Sequence, residues 1–220
     1  MKGATETLLV ADATPVDRVG RPPAFAYGPE ICGDLAKAQE LEWLETNGLG
    51  GYAAGTVAGL RTRRYHGLLV SATRPPSDRR VLLSAMDVSL HVDGRRFDLA
   101  THRYGDVIHP EGFRLATGFR VDPFPTRTWA TDDWELDEEV FMPRFRDAVV
   151  VRWRLKARPG PNGETRDLSN ARLEVRPRVA ARDDHALTRR NAELDGSIVA
   201  SPGAATFRPY ASVPAVRFSF

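Results

Sequence analysis

Six glycines fall between Glu42 and Val70, at positions 48, 50, 51, 55, 59 and 67, and no other stretch restricts its own folding as strongly. Glycine inside a helix or strand costs roughly 0.5–1 kcal/mol relative to alanine, because it gives up the most backbone freedom. Such a cluster signals backbone at positive φ, or a close approach by a ligand or another chain segment. It also argues against a long helix over residues 54–67. Arg61, Arg63, Arg64, Tyr65 and His66 sit within the same stretch, so the search for function begins there.

Elsewhere the chain reads as strands. Val81 to Val92 (VLLSAMDVSLHV) runs into Asp93-Gly94 and then Arg95 to Leu99, and Asp-Gly between two such runs is a strong signal for a two-residue hairpin. Val149 to Leu155 is β-branched, and Leu173 to Val179 alternates apolar and polar residues with the period of a strand. Ile198 to Ala200 and Val216 to Phe220 predict further strands, the last alternating Val216, Phe218 and Phe220 and stopping inside the pattern, as a cut chain would. The only helix signal lies over Asp34–Leu44, with Asp34 as N-cap. The expected fold class is all-β: an antiparallel β-sandwich with few helices, formed by a single domain over 29–220 behind a loosely ordered leader over 1–28.

At 220 residues, 42% hydrophobic and 27% charged, the chain has the composition of an ordinary globular protein with one sizeable core. Its 31 basic residues face 29 acidic ones, a net charge of only +2, and no aromatic-interleaved basic stripe points to nucleic acid. No run of 18 apolar residues and no signal peptide is evident, so neither a membrane nor a nucleic-acid partner is expected and the expected location is cytoplasmic. The single cysteine, Cys32, cannot close an intramolecular disulfide and is expected to be a small buried hydrophobe.

Several familiar chemistries fail on context. Gly48-Leu49-Gly50-Gly51-Tyr52-Ala53 fits a dinucleotide-binding pattern formally, but no helix can follow it and no acid lies 20 positions on. No Gly-Lys-Ser/Thr phosphate loop is present. The five histidines form no HxH or HExxH pair, and no metal or cofactor is expected. The acidic runs Asp132-Asp133, Asp137-Glu138-Glu139 and Asp183-Asp184 place neighbours on opposite faces of a strand and are expected to be solvated surface rather than a catalytic pair. What remains is Arg63-Arg64-Tyr65-His66-Gly67. Its donors and aromatic ring suit recognition of a polyhydroxylated ligand, and a structural turn whose arginines bind carboxylates fits the residue types equally well.

EWLETNGLGGYAAGT followed by RTRRYHGLLV resembles the N-terminal domain of the bacterial and archaeal glycogen debranching enzymes, the amylo-α-1,6-glucosidase family. The resemblance extends over roughly residues 25–190, through FAYGPEICGDL, RRVLLSAMDVSLHVDG, THRYGDVIHPEGF, DPFP, EEVFMPRFRDAVVVRWRL and RPRVAARDDHAL. It implies a large, supersandwich-like β-sandwich preceding an (α/α)6 barrel that carries the catalytic carboxylates. This chain is then a non-catalytic part that packs on its own C-terminal barrel and helps shape a pocket for α-glucan or glycogen. Asn47, Arg64, Tyr65 and His66 are the candidate substrate-binding residues, and Arg64, Tyr65 and His66 are expected to serve that pocket rather than the domain's stability. An autonomous glucan-binding module, or a structural role in homodimer formation, stays open as the alternative.

Overall fold

The computed structural model describes Thr5–Leu8 and residues 25–189 and 191–220. Most of the expected leader lies outside the described residues; two of its segments, β1 (Thr5–Leu8) and β2 (Phe25–Tyr27), are strands. Two single-turn helices follow, α1 (Pro29–Cys32) and α2 (Leu35–Ala38). β3 (Glu42–Thr46), β4 (Tyr52–Thr56), β5 (Gly67–Arg74) and β6 (Ser77–Val92) run as antiparallel neighbours, extended by β7 (Arg95–Asp98). β8 (Thr101–Tyr104) and β9 (Val107–Glu111) make a separate hairpin. β10 (Ala116–Val121), β11 (Pro125–Ala130), β12 (Trp134–Phe141) and β13 (Val150–Ala157) form a second meander. β14 (Arg172–Asp183) returns to β6, and β15 (Ile198–Ser201), β16 (Ala204–Phe207) and β17 (Val216–Ser219) complete the order.

The protein is all-β, as expected. One sheet has the order β15-β16-β17-β1-β13-β12-β11-β10-β2 and the other β14-β6-β5-β4-β3, with β7 on β6. Among the described residues only β1 pairs in parallel, between β17 and β13. A common core joins the sheets: Leu69, Leu82, Leu83 and Leu90 from one and Trp134, Leu136, Val151 and Val216 from the other are almost fully buried in one cluster. Phe97 meets Trp134 edge to face at 5.1 Å, a favourable geometry for an aromatic pair. A polar tie crosses as well. Arg127 of β11 donates to the carbonyls of Val57 and Thr56, each at 2.9 Å, and pairs with Glu138 at 3.3 Å.

Local chemistry explains the elements that the sequence announces. Asp93 and Gly94 both hold positive φ, 49° and 73°, as a type I′ turn requires, and the pairing runs on through Val92 and Arg95. Asp34 caps α2, its carboxylate accepting from the Ala36 and Lys37 N–H groups. The helix nevertheless ends at Ala38 instead of reaching Leu44. The Ala38 carbonyl, which a continuing helix would use, accepts from Ala58, Leu41 accepts from Val57, and Glu42 begins β3 opposite Thr56. Of the alternating C-terminal residues, Val216 and Phe218 are buried, while Phe220 is exposed beyond the end of β17. Cys32 is buried, its thiol pushed up to about 11 chiefly by loss of solvent.

Candidate functional site

The glycine-rich stretch forms two loops at opposite ends of β4: residues 47–51 join β3 to β4, and 57–66 join β4 to β5. In the first, Gly50 holds φ +90°, and a Cβ there would lie 2.5 Å from the Pro76 carbonyl oxygen. A Cβ on Gly51 would lie 2.6 Å from Asn47 Nδ2. Close backbone packing therefore accounts for these glycines. Asn47 organises this loop from a fully buried position. Its Oδ1 accepts from Leu49 and Gly51 at 2.8 and 3.0 Å, its Nδ2 donates to Arg146 O at 3.1 Å, and its carbonyl accepts from Phe145.

At the other end, Thr56 donates to Leu60 O at 2.6 Å and starts the turn that carries Arg61 to His66. His66 is 3% exposed. Its Nδ1 accepts from the Thr62 and Arg63 N–H groups at 3.3 and 3.4 Å, and its Nε2 lies 3.2 Å from Glu42 Oε1. Glu42 Oε1 also accepts from Arg63 Nε at 2.5 Å. Burial pushes the His66 pKa down and outweighs the opposing pull of Glu42, so the ring is neutral with its proton on Nε2. His66 therefore has polar partners on both nitrogens and clips the turn onto β3, and it also lines the cleft beside the turn.

Arg64 and Tyr65 differ. Tyr65 is 38% exposed; its hydroxyl hydrogen-bonds with His185 Nδ1 at 3.2 Å, and its ring meets His185 edge-on at 5.6 Å. Arg64 donates to the His185 carbonyl at 2.9 Å, and its guanidinium lies 5.7 Å from the Tyr65 ring centre. Arg182, at the end of β14, donates back to the Arg64 carbonyl and to those of Asp183 and Ala186. Arg64, Tyr65 and His66 thus come together at one edge, while Asn47 stands at the far end of β4.

Between the turn and the end of β14 lies an open cleft of about 610 Å³, bordered by Arg61, Arg63, Arg64, Arg182 and Arg189, with Leu187, Leu194 and Tyr210 as its apolar wall. Among the described residues no carboxylate lines it. Sequence reasoning missed Arg182 as part of this site and His185 as the partner of Arg64 and Tyr65, because His185 follows Tyr65 by 120 positions and no local spacing links them. Behind the cleft, Arg61 donates to His102 Nδ1 at 3.0 Å and His102 Nε2 donates to Asp87 Oδ1 at 2.7 Å. Arg178 holds the other Asp87 oxygen at 2.7 Å. These bonds keep the Asp87 carboxyl below the ordinary range against the effect of burial, and burial lowers His102.

The acidic runs are not all solvated, contrary to expectation. Asp137 is buried, accepting from Thr128 at 2.6 Å and pairing with Arg120 at 3.1 Å. Glu138 is held by Arg127 and by Trp153 Nε1. Neighbours on β12 do point to opposite faces, but each face supplies partners, and paired charges can be buried. Among the described residues no group of three or more His, Cys, Asp or Glu side chains is placed to hold a metal ion.

Residues 41–220 match a family model described as "Glycogen debranching enzyme N terminal". No curated protein and no solved structure matches the chain.

Proposed function

The chain belongs to the glycogen debranching enzyme N-terminal family, and from that premise we propose that it is the non-catalytic domain of an amylo-α-1,6-glucosidase. On this reading it packs on a catalytic (α/α)6 barrel and presents the 61–66 turn to an α-glucan pocket.

The observation that carries the reading is the cleft beside that turn, lined by arginines and, among the described residues, by no carboxylate. Hydrolysis of a glycosidic bond takes two carboxyl groups, about 5–9.5 Å apart, across the bond. On this reading the pair comes from another segment, and the chain's part is to orient and exclude water. Arg64 and Tyr65 suit that part: both are exposed, yet each is held by His185, so little freedom remains to be lost when a sugar arrives. Asn47 and His66 enter as the residues that hold the two loops in shape.

The test compares the chain with the full-length enzyme. The 220-residue chain should release no glucose from a branched dextrin above the blank. In the full-length enzyme, Tyr65→Ala should lower kcat/KM on branched substrate about ten-fold, equivalent to roughly 1.4 kcal/mol of transition-state stabilisation, with the chain's melting temperature nearly unchanged. Normal kinetics in that variant would remove the turn from the pocket. Retention of the isolated chain on immobilised glycogen would instead favour an autonomous binding module.

A further inference from the structure

We propose that the arginine-lined cleft between the 61–66 turn and the end of β14 is a binding site for a phosphate monoester carried on a sugar.

The charge is arranged for an anion. Of the five arginines that border the cleft, Arg63 has a carboxylate partner, Glu42. Arg61 gives its hydrogen bond to a histidine nitrogen, and Arg64 and Arg182 give theirs to backbone carbonyls. Those bonds orient the guanidinium groups without neutralising them. Asp183 and Asp184 lie near Arg182 and offset part of its charge, but neither lines the cleft. The like charges also act on one another: burial and the neighbouring Arg178 and Arg182 hold Arg61 below the ordinary arginine range against the opposing pull of Asp87, and Arg64 contributes to the same effect on Arg182. An oxyanion placed among them relieves that repulsion. The guanidinium fork matches phosphate oxygens two at a time.

The backbone is shaped to make this surface. Pairing between β14 and β6 slips between Val179 and Arg182, and Ala181 holds φ +52°. In a regular strand Val179 and Arg182 would point to opposite faces. Across the irregularity both line the cleft, as bulges near functional sites commonly re-aim side chains.

The remaining lining points to a sugar as the carrier. Thr62, Ser84 and Thr188 are hydroxyl-bearing residues of the lining, the Ser84 hydroxyl donating to the Arg178 carbonyl, and Leu187, Leu194 and Tyr210 form an apolar and aromatic wall on which a pyranose face can lie. A volume of about 610 Å³ is within the usual range for a small-molecule site. A free hexose phosphate and a phosphate ester on a glucan chain share this chemistry.

Calorimetric titration of the chain with glucose 6-phosphate, inorganic phosphate and glucose tests the assignment. Glucose 6-phosphate should bind saturably, inorganic phosphate about ten-fold more weakly and glucose not at all, with affinity falling as salt rises. Arg64→Gln combined with Arg189→Gln should weaken glucose 6-phosphate binding about ten-fold or more while the melting temperature holds, whereas Arg95→Gln, on the β6–β7 hairpin, should change nothing. If Arg64→Gln loosens the fold through its lost bond to His185, Arg189→Gln alone carries the comparison. A second arm separates the sources: retention on a phosphorylated glucan, lost when the glucan is dephosphorylated, assigns the ester to the polymer, and binding of the hexose phosphate without such retention assigns it to the free metabolite. Absence of saturable binding in both arms, equal binding of glucose, or affinity unchanged in the arginine variants would overturn the proposal. No step of the test requires catalysis, so its failure leaves the debranching-enzyme reading standing.

Discussion

His66 Nε2 lies 3.2 Å from Glu42 Oε1, across the junction between the 61–66 turn and the first residue of β3. One ring therefore joins a loop to a strand: Nε2–H donates to the carboxylate while Nδ1 accepts from two backbone N–H groups of its own turn.

Removing that ring leaves part-buried donors without an acceptor and Glu42 without its link to the turn, which costs about 1 kcal/mol and at most about 3. His66→Ala should lower the chain's unfolding free energy by that amount in a urea titration. His66→Asn, whose side-chain oxygen can replace Nδ1 but not the link to Glu42, should lose less. Equal stability of His66→Ala and wild type would return His66 to a purely ligand-facing role.

Burial lowers the pKa of both His66 and His102. An unfolded histidine titrates near 6.5, so as pH falls below about that value the unfolded chain takes up protons that the folded chain refuses, and stability falls. Melting temperature should therefore drop between about pH 7 and pH 5.5. The drop should be shallower in the His66→Asn, His102→Gln double variant, which has lost both titrating rings. An identical slope in the two proteins would mean that other groups carry the acid sensitivity.

Alanine at Gly50 meets two penalties, a φ of +90° and a Cβ 2.5 Å from the Pro76 carbonyl oxygen. Gly94 has φ +73° and open space around it. Gly94→Ala should cost about 1 kcal/mol and Gly50→Ala clearly more. Thermal melts of the two variants should rank in that order, and a reversed order would show that the 47–51 loop yields to the added methyl.

Arg127 is a largely buried charge between the sheets, its side chain 12% exposed, and Glu138 beside it is pushed towards protonation by burial and pulled back by Arg127 and Trp153. Arg127→Ala leaves Glu138 without its countercharge and should destabilise by about 3–5 kcal/mol, while Arg127→Met with Glu138→Gln should recover much of the loss. Denaturant midpoints of the single and double variants decide this; a double variant as unstable as the single one would place the energy in the carbonyl contacts of Arg127.

Which features were legible follows from how local their causes are. Asp93-Gly94 carries its turn in two residues, and Asp34 caps α2 through N–H groups two and three positions on. The end of α2 was not legible, since it depends on Val57 and Ala58 taking the carbonyls of Leu41 and Ala38. The burial of Asp137 was missed for the same reason: its partner Arg120 lies on another strand, 17 positions away.

The sequence by itself determined the all-β class, the β6–β7 hairpin and the family, because strand periodicity, turn chemistry and motif order are written in neighbouring residues. Tertiary structure alone decided that His66 is a buried clip, that Asn47 and the Arg64–Tyr65 pair occupy opposite ends of β4, that His185 holds Arg64 and Tyr65, and that Arg182 joins Arg64 at one cleft. The bonds that tie Arg64 and Tyr65 to Arg182 and His185 join groups over a hundred residues apart. They form only when β14 pairs with β6 and brings its far end beside the turn, and no local pattern encodes which distant partner will satisfy a polar group once the sheets have closed over it.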